Sequence, residues 1–271
     1  MQRVLITGAA GDIGSRLRKS LKGVHPMLRL SDIADLGEAQ AGEEVMPADI
    51  TDLAAMERVC EGVDGVVHLG GMAVENDWQA ILNANLIGCY NLFEAARRQN
   101  VSRVIFATSN HAVGFYRRDQ VIDHRVPVKP DSRYGVSKAF GEALGSLYAD
   151  KYGLKVFCIR IGNVADQPAD KRRLSIWVSP RDLTQLVRIG LEHPEIRYEI
   201  VYGVSDNARS WYDNANAHRL GYRPQDKAED YADEVLAREP AHPPGDLTEV
   251  YQGGTFVAAE KGGDPNKPTP A

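Results

Sequence analysis

Tyr134 and Lys138 stand four residues apart in the stretch YGVSK. On a helix that spacing points both side chains the same way, so a phenol and an ammonium share one face. A free phenol titrates near 10, which leaves about one part in a thousand as the base at neutral pH. An adjacent cation favours the phenolate. At about 4 Å and an effective dielectric of about 20 it contributes roughly 4 kcal/mol, the size of a shift of about three units towards 7. The pair is therefore a candidate general base. Ser109 closes the run VIFATS, at the carboxyl end of a strand, where doubly wound sheets place their ligands.

A second group of residues could hold a dinucleotide. In TGAAGDIG, Gly8, Gly11 and Gly14 recur every third residue between a strand and a helix that opens with Asp12 and Ile13. Such a turn needs unusual dihedrals, backbone close to a pyrophosphate, and close helix–sheet packing. The helix N-terminus adds free N–H groups and partial positive charge. Asp32 follows Gly14 by eighteen residues, at the end of the second strand. A carboxylate there accepts hydrogen bonds from a ribose diol and repels a 2′-phosphate, which favours NAD over NADP. Asp49 and Ile50 are placed to flank the adenine. In HLGG, Leu69 precedes Gly70 and Gly71, which let backbone approach the cofactor. Asn85, a poor helix former in mid-helix, is placed to bond a backbone carbonyl near the site and to support a relay water.

These residues require a scaffold, and the alternation of apolar runs supplies one. Strands are expected at Val4–Ile6, Met27–Leu30, from Val45, at Val66–Leu69, Val104–Phe106 and Lys155–Ile161. Between them Ile13, Leu17 and Leu21 recur every fourth residue, and Leu53, Met56 and Val59 mark another helix. Long helices are expected at Trp78–Arg98 and Tyr134–Tyr152. This rhythm argues an α/β fold, a Rossmann-type doubly wound parallel sheet covered on both faces. Residues 1–165 form the dinucleotide-binding core. Residues 166–240 form a small substrate-binding part, with a helix at Arg181–Glu192 and a strand at Arg197–Tyr202 that return to the core. Residues 241–271 are a Pro/Gly-rich tail whose end, EKGGDPNKPTPA, reads as disordered.

The 271 residues are 43% hydrophobic and 25% charged, with a net charge of −5, ordinary globular composition with no basic field for nucleic acid or an anionic membrane. No apolar run reaches the roughly 18 residues needed to span a bilayer. A strand begins within the first residues, leaving no room for a signal peptide. Cys60, Cys89 and Cys158 are dispersed in apolar settings, as reduced core residues of a cytoplasmic protein. No metal site is indicated.

Three features bear on the substrate. Asn110 and His111 follow Ser109, where polar groups would face a polyol. Asn163 follows the sixth strand and could bond hydroxyls. Lys171, Arg172 and Arg173 lie in the loop beyond it, and guanidinium is the natural fork for a carboxylate or phosphate. A polyol bearing a carboxylate suggests a sugar acid.

In their order along the chain, TGAAGDIG, Asp32, HLGG, Asn85, ATSN and YGVSK resemble the extended short-chain dehydrogenase/reductase superfamily. That resemblance implies Tyr134 as acid/base, Lys138 on the nicotinamide ribose, and Ser109 on the reacting oxygen. The stretches SNHAVGFY, RIGN and KRRLSIW are similar to the uronate dehydrogenases. The likeness implies NAD-dependent oxidation of the anomeric hydroxyl of galacturonate or glucuronate to an aldarolactone, Arg172 or its neighbour Arg173 on the carboxylate, and a homo-oligomer. One departure is that HLGG continues Met72-Ala73, where a serine is expected. A nucleotide-sugar epimerase or dehydratase on the same scaffold, and a non-catalytic NAD sensor, are the rival readings.

Overall fold

Val4, Leu5 and Ile6 are wholly buried, because the strand they form has helices on both of its faces. The computed structural model describes residues 1–243 and 245–259; EKGGDPNKPTPA lies outside them. In chain order the first half holds β1 (Arg3–Thr7), α1 (Asp12–Ser20), β2 (Met27–Ser31), β3 (Glu43–Val45), α2 (Leu53–Cys60) and β4 (Gly65–His68). A helix then runs as α3 (Trp78–Ile81), a π-helical segment (Leu82–Ile87) and α4 (Gly88–Arg98), followed by β5 (Arg103–Ser109), α5 (Arg133–Tyr152) and β6 (Lys155–Ile161). Beyond lie β7 (Asn163–Val164), α6 (Arg173–Ile176), β8 (Trp177–Val178), α7 (Pro180–Glu192), β9 (Tyr198–Gly203), α8 (Ala215–Arg219), α9 (Ala232–Ala237) and α10 (Leu247–Val250).

The main sheet has seven strands in the order β3-β2-β1-β4-β5-β6-β9, every pair parallel. This is the Rossmann-type doubly wound arrangement. Leu17 and Leu21 pack with Leu183, Leu186 and Leu191 of α7 on one face. Met56, Val59, Leu92, Phe93 and Tyr148 of α2, α4 and α5 cover the other. Cys60, Cys89 and Cys158 are free and buried. Strand order reverses between β1 and β4, and the crevice outside the carboxyl ends at such a point is where open α/β sheets bind ligands.

Two expectations need correction. The helix expected at Trp78–Arg98 is not regular, since six of its residues are π-helical. The irregularity falls around Asn85, whose side chain turns inward to the backbone of Met72. The stretch beyond residue 240 is not merely a tail: α10 and a 3₁₀ turn at Gly254–Ala258 fold back over the sheet edge. Gln252, wholly buried, ties them down: its N–H donates to the Tyr116 carbonyl at 2.9 Å and its amide to those of Arg117 and Gln120, each at 3.0 Å.

Next to Ser109 the sheet is held by a buried ion pair. Arg160 on β6 donates Nε and Nη2 to the two carboxylate oxygens of Glu142, each at 2.9 Å, and Thr108 adds a hydroxyl donor at 2.8 Å. Removing one partner of such a pair leaves a buried, uncompensated charge. Glu142→Ala is therefore expected to lower the unfolding free energy by about 3–5 kcal/mol, read from the urea midpoint; a loss under 1 kcal/mol, the range of an exposed pair, would contradict this.

Candidate active site

A cleft of about 1050 Å³ opens along the carboxyl edge of the sheet. Its floor begins at the turn after β1. Gly8 has φ +68, and a Cβ there would stand 2.8 Å from Gly70 N; a Cβ on Gly14 would overlap the Gly8 carbonyl. The turn thus brings the 69–71 backbone against it and seats α1 tightly. Gly11 caps α1 without any side-chain hydrogen bond to the helix N–H groups, so these point into the cleft as an anion site. Asp12, at the start of α1, is partly committed to Arg16 at 2.9 Å. Asp32 lines the cleft, with its two oxygens accepting from Ala10 N and Ala34 N, each at 3.0 Å. Asp49 and Ile50 line it further on; Asp49 closes a local turn by accepting from Thr51 N at 2.8 Å. Leu69, Gly70, Gly71, Ile13 and Gly14 complete the wall. A glycine cradle, an open helix N-terminus and an anchored carboxylate at the end of β2 fit a dinucleotide.

Asn85 does not line this wall. Its Oδ1 accepts from Met72 N at 2.7 Å, and its Nδ2 donates to Met72 O at 3.1 Å and Ser137 Oγ at 2.9 Å. These contacts place it behind the Gly71–Met72 backbone, at the site's rear.

Ser109, Tyr134 and Lys138 all reach the cleft and all are buried. Ser132 caps α5 by accepting from Gly135 N at 2.9 Å, which fixes the first turn and with it Tyr134. Lys138 Nζ donates to Ala107 O at 2.8 Å and lies 5.5 Å from the centre of the Tyr134 ring. Burial pushes the Tyr134 phenol up to about 12, against a hydrogen bond with Ser109 that favours the anion; the nearby Asp131 charge raises it further. Burial also pushes the Lys138 ammonium down to about 8. Desolvation works against the charged form of both groups.

Beyond the tyrosine the residues of the sugar end separate. His111 faces the cleft. Asn163, on β7, lines it half-buried. Asn110 is 1% exposed and is not among the lining residues. In the amide orientation that satisfies both ends, its nitrogen donates to Ile161 O at 3.1 Å and its oxygen accepts from Arg172 Nη2 at 3.0 Å. It does not face the cleft as expected, because the chain turns into a 3₁₀ segment after Ser109 and buries it.

The three basic residues also differ. Lys171 pairs with Glu249 at 3.1 Å, and Arg173 with Asp170. Arg172 has no ion-pair partner among the described residues. Its Nε donates to the Gln252 carbonyl at 2.8 Å, and burial pushes the guanidinium down to about 10. A half-buried cation held only by neutral acceptors, in the wall of a cleft, is arranged for an incoming anion.

Residues not anticipated from the sequence come from loops and the C-terminal return. Phe256 stacks on His111 with ring centres 3.8 Å apart. Arg118, also in the lining, pairs with Glu249 at 2.9 Å. Asp131 Oδ2 lies 2.7 Å from His111 Nδ1. None carries a periodic or spacing signal.

Residues 4–183 match the NAD dependent epimerase/dehydratase family. The chain is 46% identical over 258 residues to the uronate dehydrogenase of Pseudomonas putida, covering 95% of this chain and 96% of that protein. Its structure is similar to the crystal structure of a glucuronic acid dehydrogenase from Chromohalobacter salexigens, with TM-score 0.93 and 44% identity over 96% of this chain and 97% of that one. A mutant of the uronate dehydrogenase from Agrobacterium tumefaciens, complexed with NAD, superposes with TM-score 0.93 and 39% identity over 96% of this chain and 98% of that one. The chain belongs to the NAD dependent epimerase/dehydratase family.

Proposed function

We propose that this protein is an NAD-dependent dehydrogenase that oxidises the C1 hydroxyl of a hexuronic acid, galacturonate or glucuronate, to an aldarolactone. The observation that carries the reading is the unpaired guanidinium of Arg172 in the same cleft as Tyr134, Ser109 and Lys138. NAD, when bound, would supply the hydride acceptor and a positive charge. Ser109 donates to the C1 oxygen and orients it. Tyr134, as phenolate, takes the C1 hydroxyl proton while the hydrogen on C1 leaves with its electron pair, and the C1–O bond becomes the lactone carbonyl. Lys138 would hold the ribose of a bound NAD and favours the phenolate. Arg172 receives the carboxylate. Asn163 and His111 meet the ring hydroxyls.

The test is NADH absorbance with purified protein, NAD and a panel of uronates, aldoses and nucleotide sugars. Turnover is expected on uronates, with NADH released. NADH from nucleotide sugars alone, or from none of the panel, would overturn the reading, the latter in favour of an NAD sensor.

Asp32 belongs to the same proposal. Asp32→Asn keeps an acceptor but removes the charge that repels a 2′-phosphate. The ratio of kcat/KM with NAD to that with NADP is expected to fall about 10- to 100-fold. An unchanged ratio would remove Asp32 from cofactor discrimination.

Self-association and cytoplasmic residence form part of the reading. Ile87, Tyr90, Leu147 and Tyr152 expose apolar surface on the two long helices, which supports a homo-oligomer. Among the described residues no helix is long and apolar enough to cross a membrane.

A further inference from the structure

His111 and Asp131 form a pair whose carboxylate has no role in the reaction as described. The ring nitrogen Nδ1 lies 2.7 Å from Asp131 Oδ2. The other carboxylate oxygen, Oδ1, accepts from Ser132 Oγ at 2.8 Å. Ser132 Oγ in turn accepts from Gly135 N at 2.9 Å, so its one proton is directed at Asp131. Oδ1 is thus an acceptor; an ionised carboxylate only accepts, which would leave the proton between Asp131 and His111 on Nδ1.

The surroundings are built for that carboxylate. Its side chain has no exposed surface. Gly114, Gly135 and Gly253 pack around it; a Cβ on Gly114 or Gly253 would overlap Oδ2, and one on Gly135 would stand 3.2 Å from Oδ1. The three glycines come from the loop after Ser109, the first turn of α5 and the C-terminal return. One carboxylate therefore occupies the junction of the elements that carry His111, Tyr134 and Phe256. The His111 ring is also fixed by contact: Phe256 stacks on one face at 3.8 Å and 25°, and Tyr134 meets it edge-on at 5.8 Å and 66°.

We propose that Asp131 is a positioning residue that locks His111 as the Nδ1–H tautomer, so that Nε2 presents a lone pair to the cleft and accepts a hydrogen bond from a sugar hydroxyl. Which ring nitrogen carries the proton is set by the partner of the other one. The functional consequence rests on the sugar-oxidation reading; the tautomer itself does not.

The experiment is ¹⁵N NMR of the histidine side chains of the full chain at neutral pH, with the His111 signals assigned by their loss in His111→Gln. The wild-type ring is expected to show protonated Nδ1 and bare Nε2. In Asp131→Asn, an amide N–H facing Nδ1 is expected to move the proton to Nε2. With a uronate substrate, kcat/KM is then expected to fall about 10- to 100-fold, mainly through KM, because the affected hydroxyl is not the reacting one. A wild-type ring protonated on Nε2, or a tautomer unchanged in Asp131→Asn, overturns the proposal. The wild-type spectrum decides the point even if the variant folds poorly, and absence of uronate turnover in wild type would strike the sugar reading alone.

Discussion

Tyr134→Phe is expected to lower kcat on uronates about 10²- to 10⁴-fold, the range for loss of a positioned general base, with little change in NAD binding measured by titration. In the proposed reaction the phenolate accepts the C1 proton. The phenol stands at about 12 by burial, and adjacent positive charge lowers it, so kcat should rise with pH through the phenol's pKa in the complex and be lost below it. Lys138 contributes to that lowering while it is charged. Lys138→Met is therefore expected to move this acid limb to higher pH by about one to three units. Burial pushes the Lys138 ammonium down to about 8, so above that pH its contribution fades and the two profiles should converge. A pH–rate profile checks both. A Phe variant with more than a tenth of the wild-type kcat would remove Tyr134 from the reaction.

The second large effect concerns selectivity. Arg172→Ala should raise KM for galacturonate and glucuronate about 100-fold, corresponding to one or two charge-assisted hydrogen bonds, while kcat/KM for the neutral aldoses changes less than about threefold. Equal effects on both sugar classes would end the carboxylate assignment. Arg172→Lys should recover little, because an ammonium cannot keep the Asn110 and Gln252 anchors and also offer a fork. Arg172→Ala also carries a stability signature. Removing a half-buried cation without a carboxylate partner should leave the melting temperature of the free protein unchanged or raised, opposite to the expectation for Glu142→Ala.

The fold was legible from short-range signals. Val4–Ile6, Val66–Val67 and Val104–Phe106 are continuous apolar runs because both faces of their strands are covered. The helical spacing of Leu17 and Leu21 follows from packing on one face only. The glycines at 8, 11 and 14 and the acid at 32 were readable for a similar reason: backbone turns and strand ends impose residue types within a few positions. Asn110 was misplaced because its neighbour in sequence, His111, faces the cleft while Asn110 faces Ile161 and Arg172, and a 3₁₀ turn has no fixed polar period to reveal this. Lys171, Arg172 and Arg173 are inseparable in the sequence; in the structure they have distinct partners, Glu249, Gln252 and Asp170.

By itself the sequence determined the layered sheet, the cradle after β1 and the pairing of Tyr134 with Lys138, since each depends on backbone geometry or on residues within one helical turn. Only the tertiary structure decided which arginine has no counter-ion among the described residues, that burial opposes charge on both Tyr134 and Lys138, and that Phe256 closes on His111. Those outcomes depend on desolvation and on contacts between segments more than a hundred residues apart in some cases, and neither quantity exists until the chain has folded.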